Sequence, residues 1–291
     1  MSYKRRDFLK LTGAATAGFT FASITANALS GDIFSDKKKL NAFGLQLYSL
    51  RDDLPKDPKG VLKQVASYGY KLVEGFEGGQ GMFWGMSNTE FKKYMDELGL
   101  KMISSHCNIN KDFEKKAAEA AAIGMKYLIC PYLGPQKSLD DFKKAADEFN
   151  IRGEICKKAG IKFAYHNHDY SFTLQDGQFP QDVMMKGTDA ATVDFEMDMY
   201  WVVTAGQDPL EWMKKYPNRF KLCHVKDRTK GSTEKADTCT LGTGSIDYPS
   251  ILPQAKKLGM ECFIVEQEKY AGTTPLQSAA DDAVYMKKLE V

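Results

Sequence analysis

Six short apolar runs in this 291-residue chain end on side chains that can bind a metal or move a proton. Lys71-Leu72-Val73 ends in Glu74, Met102 to Ser105 ends in His106, and Ile161 to Tyr165 ends in His166-Asn167-His168. Thr192 to Met197 ends in Asp198, Phe220 to Cys223 in His224, and Cys262 to Val265 in Glu266. All four histidines of the chain fall at these endings. Imidazole nitrogens mixed with carboxylate oxygens suit a divalent transition ion better than calcium. Such an ion polarises a carbonyl and acidifies the neighbouring C–H.

These residues must be brought together by the elements that carry them. Strand-like segments lie near 43–48, 70–75, 101–106, 126–131, 161–166, 191–198, 219–225 and 261–266, and helical patterns fill most gaps: 58–68, 89–98, 113–123, 139–158, 209–215, 248–258 and 279–289. One phrase recurs five times, helix then glycine then strand, at Gly69, Gly99, Gly124, Gly160 and Gly259. It is the αβ loop of a parallel α/β unit. No G-x-G-x-x-G follows the first strand, and the polar endings are spread over six strands instead of one switch point. The expected fold is therefore an eight-stranded parallel (β/α)8 TIM barrel with its chemistry at the C-terminal rim. Strand parity supports this, because Leu222, His224 and Lys226 share a face, as do Asp194, Glu196 and Asp198, and Ile264 and Glu266.

The chain resembles the xylose-isomerase-like barrel superfamily of sugar isomerases and epimerases, which includes inosose dehydratase and endonuclease IV. The resemblance rests on Gly44-Leu45-Gln46-Leu47-Tyr48-Ser49-Leu50-Arg51, Val73-Glu74, Ser105-His106, Tyr165-His166-Asn167-His168, Asp198-Met199-Tyr200-Trp201, Ala205 to Pro209, His224-Val225-Lys226-Asp227, Leu241 to Gly244 and Val265-Glu266-Gln267. It implies one divalent ion (Mn, Co, Zn or Fe) held by the fifth to eighth strands, by position on His166, Asp198, His224 and Glu266. At His166 the sugar epimerases of the family keep a carboxylate, and dehydratase-like relatives share His-x-His. With His166 the ligand set is neutral against a 2+ ion, and one of the two bases of an epimerase is lost.

The expected substrate is a keto-sugar or polyol-ketone. Glu266 or His166 is the general base that removes a proton, and Lys226 helps stabilise the enediolate. Reprotonation makes an isomerase or epimerase, and loss of a β-substituent makes a dehydratase or lyase. Glu74, His106, His168, Gln46, Trp84 and Trp201 are expected to contact the sugar. Trp84 lies in the glycine-rich stretch Gly78 to Gly85, which reads as a loop closing over a ring. Leu241-Gly242-Thr243-Gly244 offers backbone N–H groups to an anion. Two rivals are a nuclease like endonuclease IV and a non-catalytic sugar-binding barrel. The nuclease needs a histidine-rich three-zinc site and basic loops, and the second lacks a reason to keep every ligand.

Residues 1–28 read as a twin-arginine export signal: Lys4-Arg5-Arg6-Asp7-Phe8-Leu9-Lys10, a mildly apolar run to Ile24, and Ala26-Asn27-Ala28 as the cleavage site. Residues 29–40 read as a linker and 41–291 as the catalytic barrel. Removing 28 residues from 291 leaves 263, about one barrel domain. The twin-arginine translocase is the expected partner during export, with a periplasmic destination and no membrane attachment once the signal is removed. The removed segment carries Lys4, Arg5, Arg6 and Lys10 against Asp7, so totals of 40 basic and 38 acidic residues become 36 and 37. A net charge of −1 favours no nucleic-acid partner. The six cysteines include no C-x-x-C pair; Cys130, Cys223 and Cys262 read as strand residues, Cys107 as just past a strand, Cys156 as helical and Cys239 as in a loop, so free thiols are expected.

Overall fold

The computed structural model describes residues 39–40 and 42–291. The expected export signal and residues 29–38 of the expected linker lie outside the described residues. Lys39 and Leu40, also placed in that linker, pair with the other end of the chain: Lys39 bridges Glu290, and the Leu40 amide donates to the Leu289 carbonyl at 3.1 Å.

Strands β1 (Gly44–Gln46), β2 (Leu72–Phe76), β3 (Lys101–His106), β4 (Tyr127–Cys130), β5 (Lys162–His166), β6 (Val193–Asp198) and β7 (Phe220–Val225) follow one another in parallel. After a two-stranded ribbon, β8 (Asp227–Arg228) with β9 (Thr238–Cys239), strand β10 (Cys262–Val265) pairs with β7 and β1 and closes the barrel. Both faces of the barrel strands are buried, as parallel strands wrapped by helices require. Cys239 stands in β9 instead of a loop, and all six cysteines are free thiols.

The outer helices begin and end where local chemistry dictates. Asp57 accepts the Gly60 amide and Pro58 opens α1 (Pro58–Tyr68), while Ser87 and Glu90 form a reciprocal capping box on α2 (Asn88–Leu98). The helix–glycine–strand phrase is a left-handed cap: Gly69 and Gly99 close these helices at φ of +99° and +67°, where a Cβ is strained. The ring continues with α3 (Phe113–Ala122), α4 (Leu139–Ala159), α5 (Pro180–Gly187), α6 (Met199–Thr204), α7 (Pro209–Lys215), α8 (Tyr248–Lys257) and α9 (Pro275–Met286). Helices α5 and α6 do not show in the sequence periodicity, being only about two turns each. Among the described residues no helix is long and apolar enough to cross a membrane.

Inside the barrel Leu72, Ile103, Tyr127, Ile129, Ala164, Leu222, Cys262 and Ile264 form an apolar plug. Below it, at the N-terminal end of β6, Asp194 accepts from Tyr127 and Lys162 at 3.0 Å each. Burying each large aliphatic side chain stabilises the fold by roughly 1.5–3 kcal/mol, so the plug is a firm floor. The polar side chains above it open only towards the C-terminal rim.

Candidate functional site

β5, β6, β7 and β10 deliver His166, Asp198, His224 and Glu266 to one point, with one ligand atom from each lying within 4.8 Å of the others. His224 Nδ1 is 3.6 Å from Asp198 Oδ2 and 3.2 Å from Glu266 Oε2, and His166 Nε2 is 3.5 Å from Asp198 Oδ2. Strand register accounts for the convergence. Asp198 lies beside His224, and His224 lies beside Ile264, two residues before Glu266 on the same face. A one-residue slip would turn each ligand out towards the helices.

The partners of these side chains fix which atoms face the cluster. His166 Nδ1 is 3.1 Å from the Pro131 carbonyl, which can only accept, so Nδ1 carries the hydrogen and Nε2 keeps a lone pair. His224 Nε2 donates to Glu74 Oε1 at 2.8 Å, leaving Nδ1 towards Asp198 and Glu266. Asp198 caps α6 by accepting the Trp201 amide on Oδ1 at 3.1 Å, which leaves Oδ2. His166 Nε2, His224 Nδ1 and Asp198 Oδ2 are all buried without a hydrogen-bond partner. Converging electron pairs in a buried place need positive charge, and two imidazoles with two carboxylates fit a divalent ion. The field agrees with the geometry. Burial opposes charge on His224, but Glu196 and Glu266 outweigh it and hold its pKa well above the imidazole range. A field that draws a proton there also draws a metal cation.

A second group lies one step deeper in the barrel. Glu74 Oε1 accepts from Gln46 Nε2 at 2.7 Å and from His224, while Oε2 accepts from Ser104 Oγ at 2.6 Å. His106 Nε2 stands 3.2 Å from Glu74 Oε1 and 2.8 Å from Glu196 Oε2. Burial and then the Glu74 charge raise Glu196 to about 7. At His106 burial is overcome by Glu74 and Glu196, which raise it to about 9. Gln46 and Glu74, expected to touch the sugar, are fully sealed with their polar atoms committed inside the protein. They brace His224 instead, as an outer carboxylate braces a metal-bound imidazole. Glu196 is the site residue that sequence reasoning passed over, although its shared face with Asp198 was readable.

Above the cluster opens a cavity of about 890 Å³. His106, His166, His168, Trp201, Lys226 and Glu266, all expected at the site, line it. Lys226 is fully buried, with Nζ 3.0 Å from Glu266 Oε2, 2.6 Å from Glu268 Oε2 and 3.5 Å from Asp198 Oδ2. Glu268 also lines the cavity and was missed, although it stands two residues beyond Glu266. Burial, aided by His166, lowers His168 to about 3, so its ring is neutral. Trp84 corrects the expectation of a lid: it is buried edge-on against Phe76, ring centroids 4.8 Å apart, and is not in the cavity wall. The Gly242–Gly244 loop is also different from the expectation. Its amides bind the chain's own Asp227, from Gly242 at 2.9 Å and Gly244 at 3.0 Å.

Residues 62–289 match the family model described as xylose isomerase-like TIM barrel. Two crystal structures from Parabacteroides distasonis ATCC 8503, each described as a sugar phosphate isomerase/epimerase, are 31% and 32% identical, with TM-scores of 0.72 and 0.74. The first likeness covers 87% of this chain and 96% of that one, the second 86% and 98%. Inosose dehydratase of Clostridium perfringens is 29% identical over 165 residues, 51% of this chain and 55% of that protein. The chain thus spans about half the length of the curated relatives it matches. A 3-keto-D-glucoside 4-epimerase from E. coli shares the fold at 15% identity, with a TM-score of 0.66 over 86% of this chain and 99% of that one.

Proposed function

The chain belongs to the xylose isomerase-like TIM barrel family, and we propose that it is a divalent-metal enzyme that removes a proton beside the ketone of a keto-sugar or polyol-ketone. The observation that carries this reading is the convergence of unpartnered His166 Nε2, His224 Nδ1 and Asp198 Oδ2 with Glu266 next to a sugar-sized cavity. His166, Asp198, His224 and Glu266 would hold one ion of Mn, Co, Zn or Fe. That ion, when bound, supplies Lewis acidity towards the ketone and its neighbouring hydroxyl. Glu266 is the general base: burial resists its charge, but Lys226 and then His224 outweigh burial and keep it ionised. His166, the other candidate base, has its one free nitrogen, Nε2, turned to the ligand cluster, whereas Glu266 has a second carboxylate oxygen besides the Oε2 that meets His224 and Lys226. Lys226, which lines the cavity with Nζ 3.0 Å from Glu266, is the cation that would meet negative charge growing on the substrate oxygen. His106 and His168 remain as cavity imidazoles for hydroxyl binding or for protonating a leaving group. Export by the twin-arginine route to the periplasm is part of the same proposal.

Reprotonation of the carbanion gives an isomerase or epimerase, the reading in keeping with the P. distasonis relatives. A second reading, elimination of a β-hydroxyl or β-alkoxyl group, is favoured by one observation. Of the four cluster residues, Glu266 is the one carboxylate lining the cavity, because Asp198 is fully sealed. The metal cluster then offers the substrate a single carboxylate base instead of an opposed pair, and the likeness to inosose dehydratase points the same way. Metal-loaded protein in deuterated water with a panel of keto-sugars and keto-glycosides tests both. Deuterium in a product of otherwise unchanged mass supports isomerisation or epimerisation, and a product lighter by water or aglycone supports the lyase. Failure of every substrate to exchange would sink the enzyme reading and leave a sugar-binding barrel.

A further inference from the structure

We propose that the cavity accepts an uncharged, unphosphorylated glycoside of two sugar rings, with the outer ring resting on exposed tyrosines of the rim. This deepens the function proposed above and rests on it for the identity of the inner, reacting ring.

The first ground is that the anion donors of the rim are already spent. In (β/α)8 enzymes a substrate phosphate is held by the loops after the seventh and eighth barrel strands and by a helix N-terminus there. Here the loop after β7 wraps two of the chain's own acidic side chains. Asp227 accepts the amides of Arg228, Gly242, Gly244 and Ile246, and Asp282 accepts the Leu241 amide at 2.8 Å. Both side chains are buried, and a Cβ on Gly244 would stand 2.2 Å from Asp227 Oδ1, so the wrap is close. The first turns of α8 and α9 are likewise capped from within, by Asp247 and Thr274. A phosphoryl group would have to displace a tethered acid. The buried lysines beside the cavity are engaged as well: Lys226 is held by Glu266 and Glu268, and Glu77 holds Lys116 at 2.7 Å.

The second ground is size and the character of the walls. A volume of about 890 Å³ lies near the top of the roughly 300–1,000 Å³ range of ligand pockets. It is several times the volume of one pyranose ring. At depth, the Trp201 and His168 rings lie beside the ligand cluster, with ring centroids 5.4 Å apart. At the rim two lining aromatics face solvent, Tyr48 at 39% and Tyr132 at 59% exposure. Tyr132 stands edge-on to His168, centroids 4.9 Å apart, so it continues the inner wall outward. Tyr48 is braced by Phe76 at 5.2 Å and by the Arg51 guanidinium at 4.8 Å. Braced aromatic rings in a cavity that Asn108 and Asn110 also line suit the C–H faces and hydroxyls of a neutral sugar.

Calorimetric titration of the metal-loaded full chain with methyl glucosides, a panel of glucose disaccharides and glucose 6-phosphate tests the inference without any turnover. At least one disaccharide should bind about tenfold tighter than its methyl glucoside, and the phosphate ester no tighter than the neutral ring. Tyr132→Ala should bring the disaccharide-to-glucoside ratio towards one, while Tyr132→Phe, which keeps the face, should preserve it. Tighter binding of glucose 6-phosphate, or no gain from any second ring, would overturn the inference. Because binding is read directly, a lack of solvent exchange would count against the reaction and leave this result standing.

Discussion

Glu74 holds the Nε2 hydrogen of His224 at 2.8 Å and so aims Nδ1 at Asp198 and Glu266, although it never reaches the cavity. Gln46 and Ser104 in turn fix Glu74. Glu74→Gln keeps the shape but weakens the acceptor, so metal affinity should fall by about 10–100-fold. Competition with a chromophoric chelator would read this, and unchanged affinity would mean that Glu74 is merely core. The terminal ligands were legible because each closes an apolar run in a polar residue type that burial rarely tolerates. Glu196 was not, because a mid-strand carboxylate gives no local signal beyond parity. Trp84 misled for the opposite reason: glycines around an aromatic look like a hinge, and its packing on Phe76 is a contact that periodicity does not encode.

Between β7 and α8 the chain builds its own anion site. With Asp227→Ala, four backbone amides lose their side-chain acceptor. The expected cost is roughly 3 kcal/mol or more, a fall in Tm on the order of 10 °C for a domain of this size. A scan showing no change would mean that solvent replaces the carboxylate freely. Asp282, on α9, gives a pH signature. Burial raises it to about 8, against the favourable Leu241 amide. A carboxyl raised in the fold adds stability in full below its unfolded value of about 4 and has lost it above about 8. Asp282→Asn, neutral throughout, should therefore gain in Tm on the parent chain as pH rises from about 5 to 8, and a constant difference would contradict this. The barrel strands and their glycine-capped helices were readable because propensity, capping and burial agree there. Helix α6 was not, since it is six residues long and begins on Asp198, which sequence reading had assigned to the site alone.

The described barrel is a closed sheet with an apolar floor beneath the ligand cluster and a cavity at its C-terminal rim. Asp198 and Glu266, with the imidazoles of His166 and His224, set a 2+ ion as the charge that satisfies the cluster. Such an ion, bound to the fold and not to the unfolded chain, would add about 2.7 kcal/mol of stability at a hundred times its Kd. The measurement that bears most directly on this account is elemental analysis of purified protein, with His224→Ala alongside. The account predicts one transition metal per chain, removed by chelator with a lower Tm and lost from His224→Ala while that variant stays folded. Metal-free protein that gains no Tm from Mn, Co, Zn or Fe, or a His224→Ala variant that keeps a full metal complement, would contradict it.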